Sequence, residues 1–452
     1  MSKMSADTKK NGFSPSGFPA KQGLYDPQNE HDACGVGFIC NLHGKKSHDI
    51  IHHALEILVR LTHRGAAGSD PLTGDGAGIL LQIPHNFYKR EAKKLGIELP
   101  DPKAYGTGLV FLPQDEAQRD ACKKILEETV ASEGQKLLGW RKVPTCNKFI
   151  GKTAKASEPD IWQIFIGRSD AVKSEREFDR MLYIIRKVAE NRIFKSDMAD
   201  RNDFYIPTLT CRIIIYKGLL LPEQMEGYYT DLLDPEFESA LALVHQRYST
   251  NTFPTWKLAQ PFHLMCHNGE INTARGNFNW MNARQGLFKS DLFGDNIERL
   301  FPVIQPGLSD SAQLDQAVEL LYHTGRSLPH VMMMLIPEAW QNHKTMSAEK
   351  KAFYEYHSTL MEPWDGPASI PFTDGHCLGA ILDRNGLRPS RYVVTKDGFV
   401  IMGSETGIVD IDPANVEYKG RLEPGRMFLV DMEAGRIIPD EEIKQQISTQ
   451  QP

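Results

Sequence analysis

The chain is 452 residues long, 41% of them hydrophobic and 24% charged, and its formal net charge is −6. This composition is sufficient for one large domain, or for two to three of ordinary size, with a substantial buried core. The acidic balance excludes the basic footprint of a nucleic-acid-binding protein, so no nucleic-acid partner is expected. Apolar runs such as residues 331–336 are far too short to cross a bilayer, so no membrane span is expected.

Seven cysteines lie at irregular spacing, and no two of them form a Cys-x-x-Cys pair. An odd number without regular spacing is typical of a reducing compartment rather than a disulfide framework, so we expect a cytoplasmic location. The missing Cys-x-x-Cys pair also argues against an iron–sulfur cluster within this chain.

The first 33 residues are not expected to be a sorting signal. They lack the apolar stretch of a secretory peptide, and they contain acidic residues but no arginine, unlike a transit peptide. Glycine, proline and serine dominate residues 12–23, which is typical of a flexible lead-in. Such a segment either stays attached as a disordered tail or is removed.

A cysteine opens the first predicted strand, which runs from Cys34 to Cys40. Most cysteines in such an apolar setting are small buried hydrophobic residues. If the chain were cut after Ala33, however, Cys34 would carry its own α-amine. One residue would then supply both the nucleophile and the base for opening an amide.

The next predicted element is an amphipathic helix over residues 48–61, whose apolar residues recur at helical spacing. His48 and His52 lie four residues apart on this helix, which is the spacing of a zinc pair. The glutamate of the zinc motif is replaced by Asp49, and no third ligand is identifiable, so we expect no metal site.

A glycine-rich segment, GDGAG at residues 74–78, precedes a short apolar strand over residues 78–84. Its glycine spacing is not that of a dinucleotide-binding loop, and no helix start follows it. The segment is therefore interpreted as a tight turn beside the functional site, with no cofactor bound to it.

Further strands are predicted at residues 105–112, 212–216, 241–246 and 262–267. The last two each end in a polar segment, HQRYSTN and then HNGEIN. In the second segment, Asn268 and Gly269 supply a side-chain amide and an unobstructed backbone N–H, the two donors of an oxyanion hole. An Asn-Gly pair between apolar stretches also commonly forms a hairpin turn.

Two charged residues in or near these segments have more than one interpretation. The planar guanidinium of Arg247 matches a carboxylate, which lysine cannot copy, but a surface ion pair is equally open. Asp310 directly precedes a predicted helix over residues 312–323 and is a favoured N-cap residue. Because Ser309 and Ser311 compete for that cap, Asp310 is free to face a pocket.

The remaining sequence predicts a mixture of helices and strands. Strands are predicted at residues 375–382, 392–395 and 399–402, and a helix begins near residue 439. No internal repeat is recognisable.

Several long segments together carry a family resemblance. The segments around Cys34, Arg247, Asn268 and Asp310, in this order, resemble the class II glutamine amidotransferases, which are N-terminal-nucleophile enzymes. Longer stretches are similar to the glutaminase domain of glutamate synthase large subunits: HRGAAGSDPLTGDGAG at 63–78, TFPTW at 252–256, MEPWDGP at 361–367 and LDRNGLRP at 382–389. The match runs from about Gln22 to the C-terminus. It implies an α+β fold, the four-layer αββα sandwich of N-terminal-nucleophile hydrolases.

The resemblance also implies a division of the chain and a role for each site residue. Residues 1–33 would be a propeptide removed by Cys34, residues 34–430 the amidotransferase domain, and residues 431–452 the start of a linker to a synthase region. Cys34 would attack the carboxamide of L-glutamine and form a thioester, with an oxyanion hole at Asn268 and Gly269. The remaining expected roles are the substrate carboxylate for Arg247, the substrate ammonium for Asp310, pocket lining for Thr250 and Asn251, and a structural role for Glu270.

The whole enzyme implied by the resemblance makes glutamate from glutamine and 2-oxoglutarate. FMN and iron–sulfur centres would be held outside this chain, with electrons from NADPH through a small subunit or from ferredoxin. Three alternatives stay open: an amidotransferase for another acceptor, a non-catalytic glutamine-sensing module, and a zinc enzyme built on the His48 helix.

Overall fold

The computed structural model describes Gly23 and residues 34–450. The predicted propeptide, residues 1–33, lies outside the described residues except for Gly23, and so does the predicted cleavage position at Ala33.

Fifteen strands form within the described residues. In chain order they are β1 Gly35–Asn41, β2 Ala77–Gln82, β3 Tyr105–Leu112, β4 Lys136–Lys142, β5 Asp160–Gly167, β6 Ile213–Gly218, β7 Leu241–Gln246, β8 Asn268–Gly269, β9 Ala368–Thr373, β10 Cys377–Leu382, β11 Arg391–Thr395, β12 Phe399–Gly403, β13 Val416–Arg421, β14 Met427–Asp431 and β15 Arg436–Ile438.

The α-helices of the same residues are α1 Asp49–Arg60, α2 His85–Lys94, α3 Glu116–Ser132, α4 Lys152–Ala156, α5 Glu175–Phe194, α6 Met225–Tyr228, α7 Ala274–Arg284, α8 Asp310–His323, α9 Leu328–Leu335, α10 Ala348–Leu360 and α11 Asp440–Ser448. No helix among the described residues is long and apolar enough to cross a membrane.

Two large antiparallel sheets form the centre of the molecule. The first has seven strands in the order β13-β11-β12-β1-β7-β2-β6, and the second has five in the order β15-β14-β10-β9-β8. Strand β1 is central because it pairs with β12 on one side and with β7 on the other. A third sheet, β3-β5-β4, packs with α3 and α5 around its own apolar cluster.

Successive side chains of the central strands point to opposite faces of the seven-stranded sheet and so contribute to two different cores. On one face of the seven-stranded sheet, Ile39 and its neighbours pack against α1. On the other face, Phe38 joins Phe372 of β9 in a core that continues to α8 and α9. The order is therefore helix, sheet, sheet, helix, and the expected α+β four-layer αββα sandwich is confirmed.

The strand prediction over residues 262–267 is wrong in extent. Met265 makes only an isolated bridge to Phe372, and regular pairing is limited to Asn268–Gly269. Pairing is interrupted because Pro371 of β9, opposite Cys266, has no N–H to donate, and because the Leu264 N–H donates to Asp315 Oδ1 at 3.1 Å instead of to β9.

The C-terminal segment packs on the body of the molecule. As far as residue 450, the residues expected to begin a linker form β15 and α11. Ile443 and Ile447 of α11 are buried in the main core, and Lys444 donates to the carbonyl oxygen of Gly425 at 2.7 Å. The domain boundary at residue 430 stays a prediction.

Candidate functional site

Cys34 directly precedes β1, at the end of the strand where β7 also stops. The pairing of Gly35 with Gln246 places Cys34 beside Tyr248. The Cys34 thiol donates to the Tyr248 carbonyl oxygen at 3.3 Å, and its sulfur accepts from the Tyr248 N–H at 3.2 Å. These two bonds fix the thiol at the edge of the sheet where β1 begins and β7 ends.

A cavity of about 220 Å³ opens beside this thiol. Its volume is below the range typical of drug-sized ligand sites, so it fits a small molecule. Seven of the eight residues predicted for the site line it: Cys34, Arg247, Thr250, Asn251, Gly269, Glu270 and Asp310. Asn268, between the lining residues His267 and Gly269, is fully buried and is not itself among the lining residues.

The electrostatic environment of Cys34 is mixed. Burial raises the pKa of the thiol to about 11, while the Tyr248 N–H and the positive charges of Arg247 and Arg388 act in the opposite direction. Asp310 adds to the upward shift. A thiol with such a pKa needs a base to become a thiolate at neutral pH.

Arg247 is buried at the end of β7, and its backbone N–H donates to the Gly76 carbonyl oxygen at 2.8 Å. Its Nη2 donates to Thr252 Oγ1 at 2.8 Å, whereas its Nη1 has no partner among the described residues. Burial lowers the pKa of this guanidinium, and the negative charges of Asp75 and Asp310 oppose the shift. An unpartnered cationic donor in a cavity wall is suited to an anionic ligand group.

Asp310 is the first residue of α8, and Ser309 caps the helix by accepting from the Ala312 N–H at 3.3 Å. The capping conflict between Asp310 and its neighbours is thus resolved in favour of Ser309. Asp310 Oδ2 accepts from the Ile271 N–H at 2.8 Å, and Oδ1 accepts from the Ser311 N–H at 2.7 Å. The carboxylate is therefore held in the cavity wall, where a negative charge also gains from the helix dipole.

Thr250 and Asn251 are held over the cavity by one carboxylate. Thr250 Oγ1 donates to Glu270 Oε1 at 2.6 Å, and Asn251 Nδ2 donates to Glu270 Oε2 at 2.9 Å. Asp75 fixes the base of the same loop by accepting from the Ser249 N–H at 2.7 Å. Three consecutive residues of the loop, 249–251, are therefore held by these two carboxylates.

Gly269 lies in β8 at the open edge of the five-stranded sheet. Its φ is +140°, and an added Cβ would lie 1.8 Å from the Pro367 carbonyl oxygen, so only glycine fits. The Glu270 N–H donates to Pro367, and successive N–H groups of a strand alternate in direction. The Gly269 N–H therefore points away from β9, on the open side of the edge strand.

Asn268 is connected to β1 through a serine that the sequence interpretation missed. Asn268 Nδ2 donates to Ser404 Oγ at 3.1 Å, and Ser404 also bonds the backbone of Val36, two residues after Cys34. Asn268 Oδ1 is buried without a partner among the described residues. Because these residues lie 136 or more positions apart, their proximity has no local signal in the sequence.

His267 and Ser311 also line the cavity and were not predicted as site residues. His267 Nδ1 lies 3.0 Å from Ser311 Oγ, and its Nε2 has no partner among the described residues. Burial lowers the pKa of His267, which keeps the imidazole neutral at physiological pH. The signal available in the sequence was its position next to Asn268.

The glycine-rich turn at residues 74–78 lies beside the site, as interpreted from the sequence. Gly76 accepts from Arg247, and an added Cβ at Gly74 would meet the Leu220 carbonyl oxygen at 2.5 Å. Burial raises the pKa of Asp75, while the Ser249 N–H and Arg247 oppose the shift. The turn therefore bonds the Arg247 backbone through Gly76 and holds the Ser249 backbone through the Asp75 carboxylate.

The two histidines at the spacing of a zinc pair are His48, which directly precedes α1, and His52 in its first turn. His48 Nε2 contacts the Leu232 carbonyl oxygen at 3.0 Å, and His52 is exposed. Within the described part of the chain, one trio has ligand geometry: His263, Asp315 and Glu319. Arg186 donates to Glu319 at 2.6 Å, so a cation is already present in that cluster.

Two facing antiparallel sheets between helical layers, with a thiol at the head of a central strand, define the N-terminal-nucleophile class of hydrolases. The chain belongs to the class II glutamine amidotransferases, because the family model "Glutamine amidotransferases class-II" matches residues 34–452.

Three relatives show how far the similarity extends. The chain is 52% identical over 434 residues to "Glutamate synthase [NADPH] large chain" of Bacillus subtilis, covering 96% of this chain and 28% of that protein. It is 47% identical to "Glutamate synthase [NADH]" of Saccharomyces cerevisiae, covering 96% and 20%. It is 43% identical to "Ferredoxin-dependent glutamate synthase" of Pyropia yezoensis, covering 95% and 28%. The chain thus spans about a quarter of the length of these relatives.

Proposed function

We propose that this chain hydrolyses L-glutamine to L-glutamate and ammonia through a thioester on Cys34. The observation that carries the proposal is the cavity of about 220 Å³, in which the thiol, a cation and a carboxylate occur together. Membership of the class II amidotransferases supports the same reaction.

The charges of the cavity match a free amino acid. Arg247, whose Nη1 is unpartnered, would take the substrate α-carboxylate through a two-pronged interaction. Asp310 would take the α-ammonium group. These two contacts would leave the substrate side chain to reach Cys34, with Thr250 and Asn251 above it and Glu270 holding that loop.

The chemical step is an acyl transfer followed by hydrolysis. The Cys34 sulfur would attack the carboxamide carbon, and the negative oxygen would be stabilised by the Gly269 N–H and by the second N–H of the Asn268 amide, whose first N–H bonds Ser404. The C–N bond would break as ammonia leaves with the proton returned by the base. Water would then cleave the thioester, which releases glutamate and restores the thiol.

The base we propose is the α-amine of Cys34, freed by removal of residues 1–33. An amino terminus titrates at about 7.7–8.0, close to neutral pH, whereas a lysine would be protonated there. The raised pKa of the thiol makes an adjacent base necessary.

The full-length relatives suggest the use of the ammonia. We propose that it serves reductive glutamate synthesis from 2-oxoglutarate in a synthase region of the same polypeptide. FMN and iron–sulfur centres would belong to that region, with NADPH through a small subunit or ferredoxin as the electron donor. A cytoplasmic location is proposed from the seven cysteines, all of which are free.

Ammonia release from glutamine by the purified chain tests the proposal directly. We expect release by the wild type and complete loss in Cys34→Ala, with glutamine binding retained. Binding without ammonia in the wild type would instead favour a glutamine sensor. Intact-mass measurement of the active protein tests the amine base, because full activity with all 33 leading residues attached would exclude it.

A further inference from the structure

The chain from His263 to Ile271 carries the proposed oxyanion donors, but it is only partly a strand. On one side it bonds β9, where the Thr373 N–H donates to the Leu264 carbonyl oxygen at 2.9 Å. On the other side it contacts α8. The positions of the donors relative to Asp310 therefore depend on what connects this segment to α8.

Three side chains of α8 make that connection. Asp310 accepts from Ile271 N–H, and Ser311 contacts His267 at 3.0 Å, both within the cavity wall. The third lies outside the cavity, where Asp315 accepts from the Leu264 N–H at 3.1 Å and contacts His263 Nδ1 at 2.6 Å. Ser311 and Asp315 are four residues apart, so both lie on the same face of the helix.

The partners of His263 determine how many protons the His263–Asp315 pair holds. His263 Nε2 lies 3.2 Å from the Ile206 carbonyl oxygen, which can only accept, so Nε2 carries a hydrogen. The 2.6 Å contact between His263 Nδ1 and Asp315 Oδ2 then requires a second proton. The pair therefore holds either a carboxylic acid with a neutral imidazole, or a carboxylate with an imidazolium.

Burial of both groups favours the neutral arrangement, whereas Glu319 Oε2, which lies 3.1 Å from the same His263 Nδ1, favours the imidazolium; one proton lies between His263 and Asp315 in either case. His263 and Asp315 are almost fully buried, and burial lowers the pKa of His263 and raises that of Asp315. Since the two groups are coupled, they titrate as one unit. The charged or titratable groups around the pair are Arg186, Glu190, Tyr205, Lys217 and Glu319.

We propose that Asp315 is a positioning residue for the glutaminase site, which aligns Asn268 and Gly269 with Asp310. It does so by accepting from the Leu264 N–H and by sharing a proton with His263. This inference rests on the proposed function for its kinetic consequence. Loss of the shared proton would place a carboxylate opposite a bare imidazole nitrogen, and the contact would open. The oxyanion donors would then shift relative to the bound substrate.

Two substitutions of Asp315 separate the hydrogen bonds from the charge. In Asp315→Asn the amide oxygen still accepts from Leu264, and the NH₂ group donates to His263 as the carboxylic acid does. In Asp315→Ala both bonds are lost. A displacement of the oxyanion donors acts on the transition state, so we expect kcat to fall about 10- to 100-fold in the alanine variant. KM should change less than about threefold, because Arg247 and Asp310 keep their own contacts.

Asp179 offers a matched control. It is a buried carboxylate on α5 that accepts from the Cys211 N–H at 3.3 Å, and burial raises its pKa. Asp179→Ala removes a comparable group away from the segment, so stability should fall while kcat stays within about twofold. An equal loss of kcat in both alanine variants would overturn the proposal.

The pH dependence of the asparagine variant gives a second test, which stands even if Asp315→Ala does not fold. Because the amide cannot lose a proton, the ratio of its kcat to that of the wild type should rise about tenfold between pH 6 and pH 9. Taking the ratio cancels the titration of the α-amine, which both proteins share. Parallel pH profiles would overturn the proposal.

Hydrogen exchange distinguishes this inference from the proposed function. Amides of residues 263–271 should exchange faster in Asp315→Ala than in Asp179→Ala, while those of β1 should exchange equally in both. This result does not depend on ammonia release, so it remains decisive if the wild type proves to be a glutamine sensor. Unchanged exchange across residues 263–271 would overturn the positioning role.

Discussion

Cys34 lies in a field of opposite charges, and their balance bears on its reactivity. Burial raises the pKa of the thiol, while Arg247 and Arg388 lower it and Asp310 raises it. A zwitterionic amino acid in the cavity would neutralise both Arg247 and Asp310, so these two influences on the thiol would largely cancel. The burial contribution would remain, which is why the proposed mechanism needs a base at Cys34 itself.

Arg247→Lys tests the carboxylate contact. A lysine keeps the charge but loses the planar pair of donors, and a hydrogen bond to a charged group contributes about 1.5–3 kcal/mol. We therefore expect KM for glutamine to rise about 10- to 100-fold, with kcat changed by less than about fivefold. Steady-state ammonia release measures both constants.

A surface arginine provides the control for that substitution. Arg436 is exposed and pairs with Glu442, away from the cavity, so Arg436→Lys should leave KM unchanged. A wild-type KM in Arg247→Lys would show that the guanidinium does not bind the substrate.

At the residue scale, the sequence was a better guide to the residues proposed to contact the substrate than to those that hold them in place. Arg247 and Asp310 could be selected because their residue types match the two charges of an amino acid. Asp75 and Ser404 could not, because their roles are contacts to Ser249 and Asn268 across 174 and 136 positions. Such contacts exist only after β1, β7 and β8 have come together.

The loop after β7 is an element held by side chains rather than by regular pairing. Glu270 bonds Thr250 and Asn251, and Asp75 bonds the loop backbone at Ser249. Ser249 Oγ also donates to the Thr252 carbonyl oxygen, and Phe253 at the tip of the loop is 92% exposed. With few apolar contacts to hold it, the loop depends on these polar bonds for its position.

Glu270→Ala removes the side-chain bonds to Thr250 and Asn251 in that loop. We expect KM for glutamine to rise about three- to tenfold, because ordering the loop would then cost free energy at each binding event. Hydrogen exchange over residues 249–253 should become faster in the same variant. The exposed Glu226 of α6 serves as control, since Glu226→Ala should change neither quantity. Unchanged exchange in Glu270→Ala would contradict the role given to this carboxylate.

The prediction of strands succeeded where the hydrophobic pattern was strong and failed where side-chain hydrogen bonds replace the pairing of strands. The strand over residues 241–246 matches β7, because its apolar run is bounded by polar residues. The strand over residues 262–267 was wrong in extent, because Asp315 takes the Leu264 N–H that a ladder would have used and Pro371 of β9 has no N–H to donate. Periodicity carries no information about such a competing acceptor.

At the scale of the whole molecule, the four layers bury several polar side chains as well as the apolar core. His245 of β7 is fully buried between layers, with Nε2 3.0 Å from the His267 carbonyl oxygen. Burial lowers its pKa to about 3, and His330 and His357 are lowered to about 4 for the same reason. The layered fold was predictable from the family resemblance, but these pKa shifts depend on packing that no sequence pattern specifies.

His245→Asn tests how this burial affects stability. A histidine with a folded pKa near 3 and an unfolded pKa near 6.5 stabilises the fold above pH 6.5, and this stability is lost as the pH falls towards 3. Between pH 7.5 and pH 5 the loss from His245 alone is about 2 kcal/mol. The asparagine variant should therefore start less stable but lose about 2 kcal/mol less over that interval, as measured by urea unfolding. Burial raises the pKa of Asp315 in the wild type and in the variant alike, which affects stability in the opposite direction. Only the difference in unfolding free energy between the two proteins therefore isolates the effect of His245. His52→Asn on the exposed face of α1 should follow the wild type, and the hypothesis fails if His245→Asn does so as well.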